Sequence, residues 1–498
     1  MNGGSTEVRF DALIIGSGAG GSAAAWTLAR AGLRVALIEK GPELPRDGST
    51  LDVVKVVGDG AFKSRELWLD GEGRQLQPEE YFNLGGKTRW YGAALLRYGA
   101  HEFGADQAHG CPAWPVSPAA LTGYYERAEQ LLGVRTFDCE PDLARIVDAL
   151  RRRAPGWRAL PLPLGLLPEI LTNPAEARHF DGFASVAGLK GDAESAFLNP
   201  VRSLSNLSIL TGTAVTGLVG EAGSPARIAG VQLADGRTLR ARAVILAAGA
   251  LHSPRLLEGY LAATGLSRTL PCAGQVGRNL KLHLLTAMLA IGHARQTDLI
   301  RKTMLFVNDA LPHSSVQPLG FDAELISTLF PRLVPRPLAR QLGARTYGFF
   351  LQTEDGAHAD NRVIAESSAT RGLPVLDYDA TRTPAALSEH RALVRRFRGA
   401  LGRVGFAAFS ERVGLAGTAH ASGTLAAGSE PGSSVVDPAG QVHGMTGLYV
   451  VDGSVLPRSS RVNPSLTIYA WSLRVADLLA ARLIGEAADA SSTASTAA

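Results

Sequence analysis

Gly16-Ser-Gly18-Ala-Gly-Gly21 stands directly after an apolar run at residues 10–15 and directly before a run of small residues at 22–31. A glycine turn so placed does one kind of chemistry well: it lets the backbone amides of a helix N-terminus face a pyrophosphate. Gly16 permits the tight turn, Gly18 lets backbone approach the phosphates, and Gly21 lets the helix pack close to the strand. A second apolar run, 34–38, ends in Glu39, 23 positions after Gly16, where a carboxylate accepts from the ribose hydroxyls of an adenosine half. The bland alternative is a glycine-rich strand-to-helix turn without a ligand. Strand, turn, helix, strand and acid in that order read instead as a dinucleotide site, with NAD and FAD both open on this stretch.

Other positions carry chemistry less plainly. Residues 448–451 read as a strand ending at Asp452, and a loop at 459–462 leads into Asn463-Pro464. Pro464 suits the first position of a closing helix and Asn463 its N-cap. Asn463 by itself is an ordinary cap, and His420 by itself is an ordinary core histidine. Gly86-Lys87-Thr88 imitates the end of a phosphate-binding P-loop, but that motif needs glycine at position 81, which is Tyr81.

The elements that must position these residues follow from the same periodicities. Short strands at 207–210, 230–233, 238–240 and 243–246 surround the turn pair Asp235-Gly236. The last runs into a second glycine-bearing junction at 247–251, and His252-Ser253-Pro254 opens a helix. Residues 385–401 form an amphipathic helix whose Arg395, Arg396 and Arg398 lie on a solvated face. The tail from residue 485 to 498 is rich in Ala, Ser and Thr and is expected to be disordered.

Composition narrows the classes further. Hydrophobic residues make up 46% and charged residues 19% of 498, which describes one or two large globular domains. A formal charge of +4 is too small for a dedicated nucleic-acid binder. The three cysteines, Cys111, Cys139 and Cys272, form neither a disulfide framework nor a Cys-x-x-Cys pair, so no thioredoxin-type motif or structural zinc is expected. No metal site and no membrane span are expected, and a cytoplasmic location is the default.

Residues 11–41, 83–92, 249–257, 276–283 and 417–477, taken together and in order, resemble the glucose–methanol–choline (GMC) family of FAD-dependent oxidoreductases. Within it, 91–98 and 112–134 resemble bacterial alcohol oxidases acting on sugars and aminoglycoside precursors. The resemblance implies an α/β fold, a Rossmann-like FAD-binding domain interleaved with a mixed-sheet α+β substrate domain. The FAD-binding domain is expected to collect 1–100, 200–290 and 435–484, and the substrate-binding domain 101–199 and 291–434. It implies FAD held by Gly16, Gly18, Gly21 and Glu39 at the adenosine end, with the Val215 backbone at the adenine. Gly86, Asp452 and Asn463 are implied toward the flavin.

In the family the residues matching His420 and Asn463 face the flavin N5 and the substrate carbinol. The resemblance therefore implies hydride transfer from a CH–OH group of a sugar, glycoside or other natural-product alcohol. His420 would serve as the base near its ordinary pKa of about 6.5, and Asn463 would orient the oxygen. Oxygen, a quinone or another protein would take the electrons. His283 and His443 are expected to be structural. Two departures stand out: Ala426-Ala427-Gly428 replaces an Arg-bearing triplet, and no histidine follows Gly85-Gly86, where Trp90 stands, so FAD is expected to be non-covalent. A flavin-dependent lyase or a non-redox flavoprotein on the same fold is the alternative. A disulfide-reductase type is excluded by the missing cysteine pair and second glycine turn.

Overall fold

The computed structural model describes residues 9–331 and 333–496. The apolar run after the polar start forms the strand Arg9–Ile15, and the small residues behind the glycine turn form the helix Ala19–Arg30. Val35–Ile38 and Leu207–Leu210 extend a parallel sheet on one side of the first strand. Thr238–Leu246 pairs with it in parallel on the other, Ile15 opposite Leu246. Leu448–Val450 adds a further parallel strand. Val215–Glu221 and Ser224–Leu233 complete the seven strands as an antiparallel hairpin edge. The central strands are buried on both faces, which is why they read as unbroken apolar runs rather than alternating ones.

The closing helix Ser465–Thr496 packs against Ala19–Arg30, and Ser472 Oγ donates to the Gly20 carbonyl at 2.6 Å. Trp114, Leu121, Tyr125 and Phe197 pack into the same core, although they come from 101–199. The helix runs through Glu486 to Thr496, where a disordered tail was expected; alanine is the strongest helix former, and the segment prolongs an anchored helix. Residues 497 and 498 of that tail lie outside the described residues.

A second sheet has the order Ala407–Arg412, Leu284–Ile291, Thr346–Thr353, Ser314–Pro318, Met304–Val307, Arg158–Pro161, antiparallel throughout. Mixed pairing occurs in a smaller four-stranded sheet that joins Val375–Asp377 in parallel to Trp68–Asp70. The helix Pro384–Arg403 covers one face of the six-stranded sheet, with Leu393 and Phe397 packed on Met288, Val316, Phe349 and Leu351. Strand alternation turns Ser315, Gln317 and Gln352 to the other face. All three are buried there, and that face meets the segment leading into the closing helix.

Candidate active site

The glycine turn is built as its spacing requires. Gly16 has φ +100°, and a Cβ on it would lie 2.4 Å from the Ala247 carbonyl oxygen; one on Gly21 would lie 1.9 Å from the Gly16 oxygen. Gly18, by contrast, has open space, and it caps the helix Ala19–Arg30 without any side-chain bond. An uncapped N-terminus facing open space is what an anionic ligand needs. Gly86 lies against this turn, its Cβ position 3.1 Å from Gly18 Cα.

Glu39 is buried at the end of its strand. Its carboxylate accepts from Ser17 N–H at 3.1 Å, Ser17 Oγ at 2.7 Å and Gly41 N–H at 2.9 Å, and burial raises its pKa. Glu39 therefore also braces the turn. The Glu39 carbonyl accepts from Thr213 N–H, which brings the segment before Val215 alongside. Asp452 accepts from Gly249 N–H, Ser253 Oγ, Ser454 N–H and Ser454 Oγ. Its side chain is thus spent on tying two strand ends together, and burial raises its pKa.

His420 sits on a turn at 418–421, after which Ser422 pairs with Lys281 and Leu425 with Ser454 through backbone bonds. Asn463 stands at the end of a loop gripped by Arg458, whose guanidinium meets Glu354 at 2.8 and 2.7 Å. Asn463 Nδ2 lies 3.4 Å from His420 Nε2, and Gln317 Nε2 donates to Asn463 Oδ1 at 2.5 Å. Asn463 is not the helix cap expected from its sequence position. The helix starts at Ser465, the Pro464 carbonyl accepts from Ile468 N–H, and the Asn463 side chain is engaged by Gln317 and His420.

Burial lowers the His420 pKa well below 6.5, and the charges of His283, Lys302 and Lys87 add to the effect. The ring is accordingly neutral at pH 7, with a larger margin than an ordinary imidazole near pH 6.5. Its Nδ1 is buried without a protein partner. His283, expected to brace a sheet, packs edge-to-face on His420 at 5.0 Å, with Nε2 bonded to the Ser460 carbonyl at 2.7 Å. His443 bonds Ser434 Oγ and the Gly428 carbonyl, away from this pair. Trp90 stacks on Tyr81 and donates to Asn83 Oδ1 at 2.9 Å. The Leu425–Ala427 stretch is packed in the main core and held by backbone bonds to 454 and 455.

Sequence reasoning missed Gln317, Lys87, Glu80 and the buried pair Lys302–Asp181 at 2.8 Å. Only Gln317 left a signal: Ser315 and Gln317 alternate as polar residues within a strand buried on both faces. Among the described residues one other cluster, His109, His313 and Glu389, brings potential metal-ligand atoms within 4.8 Å. Its imidazoles are already bonded, His109 to the Glu354 carbonyl and His313 to Glu354 and Asp106.

The family profile described as "FAD dependent oxidoreductase" matches residues 11–303, and that described as "GMC oxidoreductase" matches 357–472. The chain belongs to the GMC-type FAD-dependent oxidoreductases. It is 29% identical to the 6'''-hydroxyparomomycin C oxidase of Streptomyces lividus over 97% of this chain and 94% of that one. It is 29% identical to the paromamine 6'-oxidase of Streptomyces fradiae, over 95% and 92%. The crystal structure of pyridoxine 4-oxidase from Mesorbium loti superposes with a TM-score of 0.66 at 19% identity, covering 94% of this chain and 99% of that chain, and shows the same fold. FAD is the cofactor of this oxidoreductase. The open N-terminus at Gly18 fits its pyrophosphate, and bound FAD supplies the electron sink that no side chain offers. No helix among the described residues is long and apolar enough to cross a membrane.

Proposed function

We propose that this GMC-type oxidoreductase oxidises an alcohol carbon of a sugar, glycoside or related natural product, with His420 as the base and Asn463 as its partner. One observation carries the reading: His420 Nε2 and Asn463 Nδ2 converge to 3.4 Å. A single hydroxyl oxygen can sit within hydrogen-bond reach of both. Asn463 Nδ2 donates to that oxygen, and neutral His420 accepts its proton at Nε2. The carbinol hydrogen leaves as hydride, which is the chemistry bound FAD accepts. Nδ2 then stabilises the developing negative charge on oxygen without competing for the proton.

The substrate class rests on the names of the two Streptomyces relatives, both oxidases of aminoglycosides or their precursors. Oxygen, a quinone or a protein would take up the electrons. In this reading FAD is non-covalent and spans Gly16, Gly18, Gly21 and Glu39 to Gly86, Asp452 and Asn463, with Val215 at the adenine. The seven-stranded sheet, drawn from 1–100, 200–290 and 435–484, binds it, and 101–199 with 291–434 shape the substrate side. The three free cysteines accord with a cytoplasmic location.

The test is a panel of alcohols and glycosides added anaerobically to the yellow protein. Bleaching by sugar-type alcohols supports the reading, and admission of air then tells oxidase from dehydrogenase. No bleaching by any alcohol would favour a lyase or non-redox flavoprotein.

A further inference from the structure

We propose that Gln317 is a positioning residue that decides which edge of the Asn463 amide meets His420; this rests on reading His420 and Asn463 as the reacting pair. An asparagine amide has a donor edge and an acceptor edge of nearly equal shape, so packing cannot choose between them. Hydrogen bonds must. Gln317 is 3% exposed, and its Nε2 donates to Asn463 Oδ1 at 2.5 Å. With Oδ1 taken, Nδ2 is the edge left for His420 Nε2, 3.4 Å away.

The choice controls the proton inventory of the ring. A donor facing Nε2 requires a lone pair there, which puts the ring proton on Nδ1. Turned over, Oδ1 would face Nε2 and hold a proton on it. The nitrogen that must accept the substrate's proton would then already carry one. Orientation of one amide thus separates a competent base from an incompetent one.

Ser314–Pro318 is buried throughout, and a polar side chain on such a strand costs desolvation unless it is bonded. The backbone of the adjoining loop is already held: Ser315 Oγ and Gln352 Nε2 donate to the Arg461 carbonyl at 2.6 and 2.7 Å. Val316, on the opposite face, locks the strand under Pro384–Arg403, so Gln317 projects from a rigid element. Its bond to Asn463 fixes a side chain rather than the loop.

The experiment uses the oxidised holoenzyme and five variants. In Gln317→Leu, anaerobic flavin reduction at saturating alcohol should slow about tenfold, the effect of one neutral hydrogen bond. In an Asn463→Ala background the same change should have no effect, because the group it orients is gone. Gln317→Glu replaces the donor by an acceptor and should slow reduction more. It should also convert the ¹⁵N signal of His420 Nε2 in the resting enzyme from a bare to a protonated nitrogen. If Gln317→Leu fails to retain flavin, Gln317→Glu, of matching volume, carries the test. Equal slowing by Gln317→Leu with and without Asn463, or an unchanged imidazole signal in Gln317→Glu, overturns the proposal. If Asn463→Ala and His420→Ala both reduce flavin at the wild-type rate, the reading of the pair fails instead. If those two are slow and the Gln317 single variants are not, only the role of Gln317 fails.

Discussion

Lys87 Nζ donates to the Thr418 carbonyl at 2.9 Å, two residues before His420. The same ammonium meets Glu80 Oε1 at 2.5 Å, and Thr418 Oγ1 donates to that carboxylate oxygen at 2.7 Å. One carboxylate thereby ties the segment lying over the glycine turn to the turn that carries His420. Gly86, beside Lys87, touches Gly18. The dinucleotide turn and His420 are thus held in register through a short chain of contacts, although they are far apart in sequence.

Lys87→Met should therefore slow flavin reduction about tenfold while leaving flavin content unchanged. It also removes a cation that helps to lower the His420 pKa. The acid limb of the rate profile should move to higher pH, as stopped-flow reduction across pH can show. An unmoved limb would mean that Lys87 does not act on the histidine.

Asn463→Ala should lower the reduction rate less than loss of His420 does, and should cost about 1–3 kcal/mol of stability because it leaves the buried Gln317 amide without its acceptor. The side chain caps no helix amide, so the double variant with Gln317→Leu, which removes the stranded group, should recover part of that loss. Urea midpoints of wild type and the variants can check both. A drop that the double variant does not reduce would restore the capping role that the sequence position suggests.

Arg458→Met should destabilise the protein by about 3–5 kcal/mol, because it strands a fully buried Glu354 carboxylate. Burial pushes the Glu354 pKa up, but the bonds and charges of Arg458 and His313 outweigh it and hold the group well below the usual carboxylate range. Its stabilising contribution is therefore complete above the unfolded value and is lost only as pH falls through the depressed folded one. Burial pulls the His313 pKa down, but its bond to Glu354 outweighs this and raises it, so the network's contribution should grow as pH falls through that raised value, which urea titrations of wild type and His313→Gln at each pH can check. The double variant with Glu354→Leu should recover part of the loss.

Acid precipitation should leave the flavin in the supernatant. No histidine follows Gly85-Gly86, and Trp90 there is stacked on Tyr81 and bonded to Asn83. Yellow colour retained in the washed pellet would contradict non-covalent binding.

The first strand, glycine turn and helix were legible because local rules fix them: apolar runs, a required φ at Gly16, and a small-residue helix face. His420 was legible only through the family resemblance, since a lone histidine carries no pattern. Asn463 was paired with His420 through the same resemblance, but the local pattern also made it a helix cap, a role its side chain does not take. Capping is a local rule, whereas Gln317 and His420 reach it from 146 and 43 positions away. Lys87 was hidden for the same reason, its partner Thr418 lying 331 positions on. The tail beyond residue 485 misled because its composition suits both coil and helix, and an anchored helix settles the matter.

Stopped-flow reduction of the flavin in His420→Ala under anaerobic conditions, with wild type measured alongside from pH 5 to 9, tests most directly whether His420 is the base. The variant should keep its flavin and lose on the order of 10²–10⁴-fold in rate, the usual cost of removing a general base. Wild type should show its acid limb below pH 6.5, in keeping with the lowered His420 pKa, and the variant should show no such limb. A His420→Ala enzyme that reduces its flavin at the wild-type rate would place the base elsewhere and contradict the mechanism.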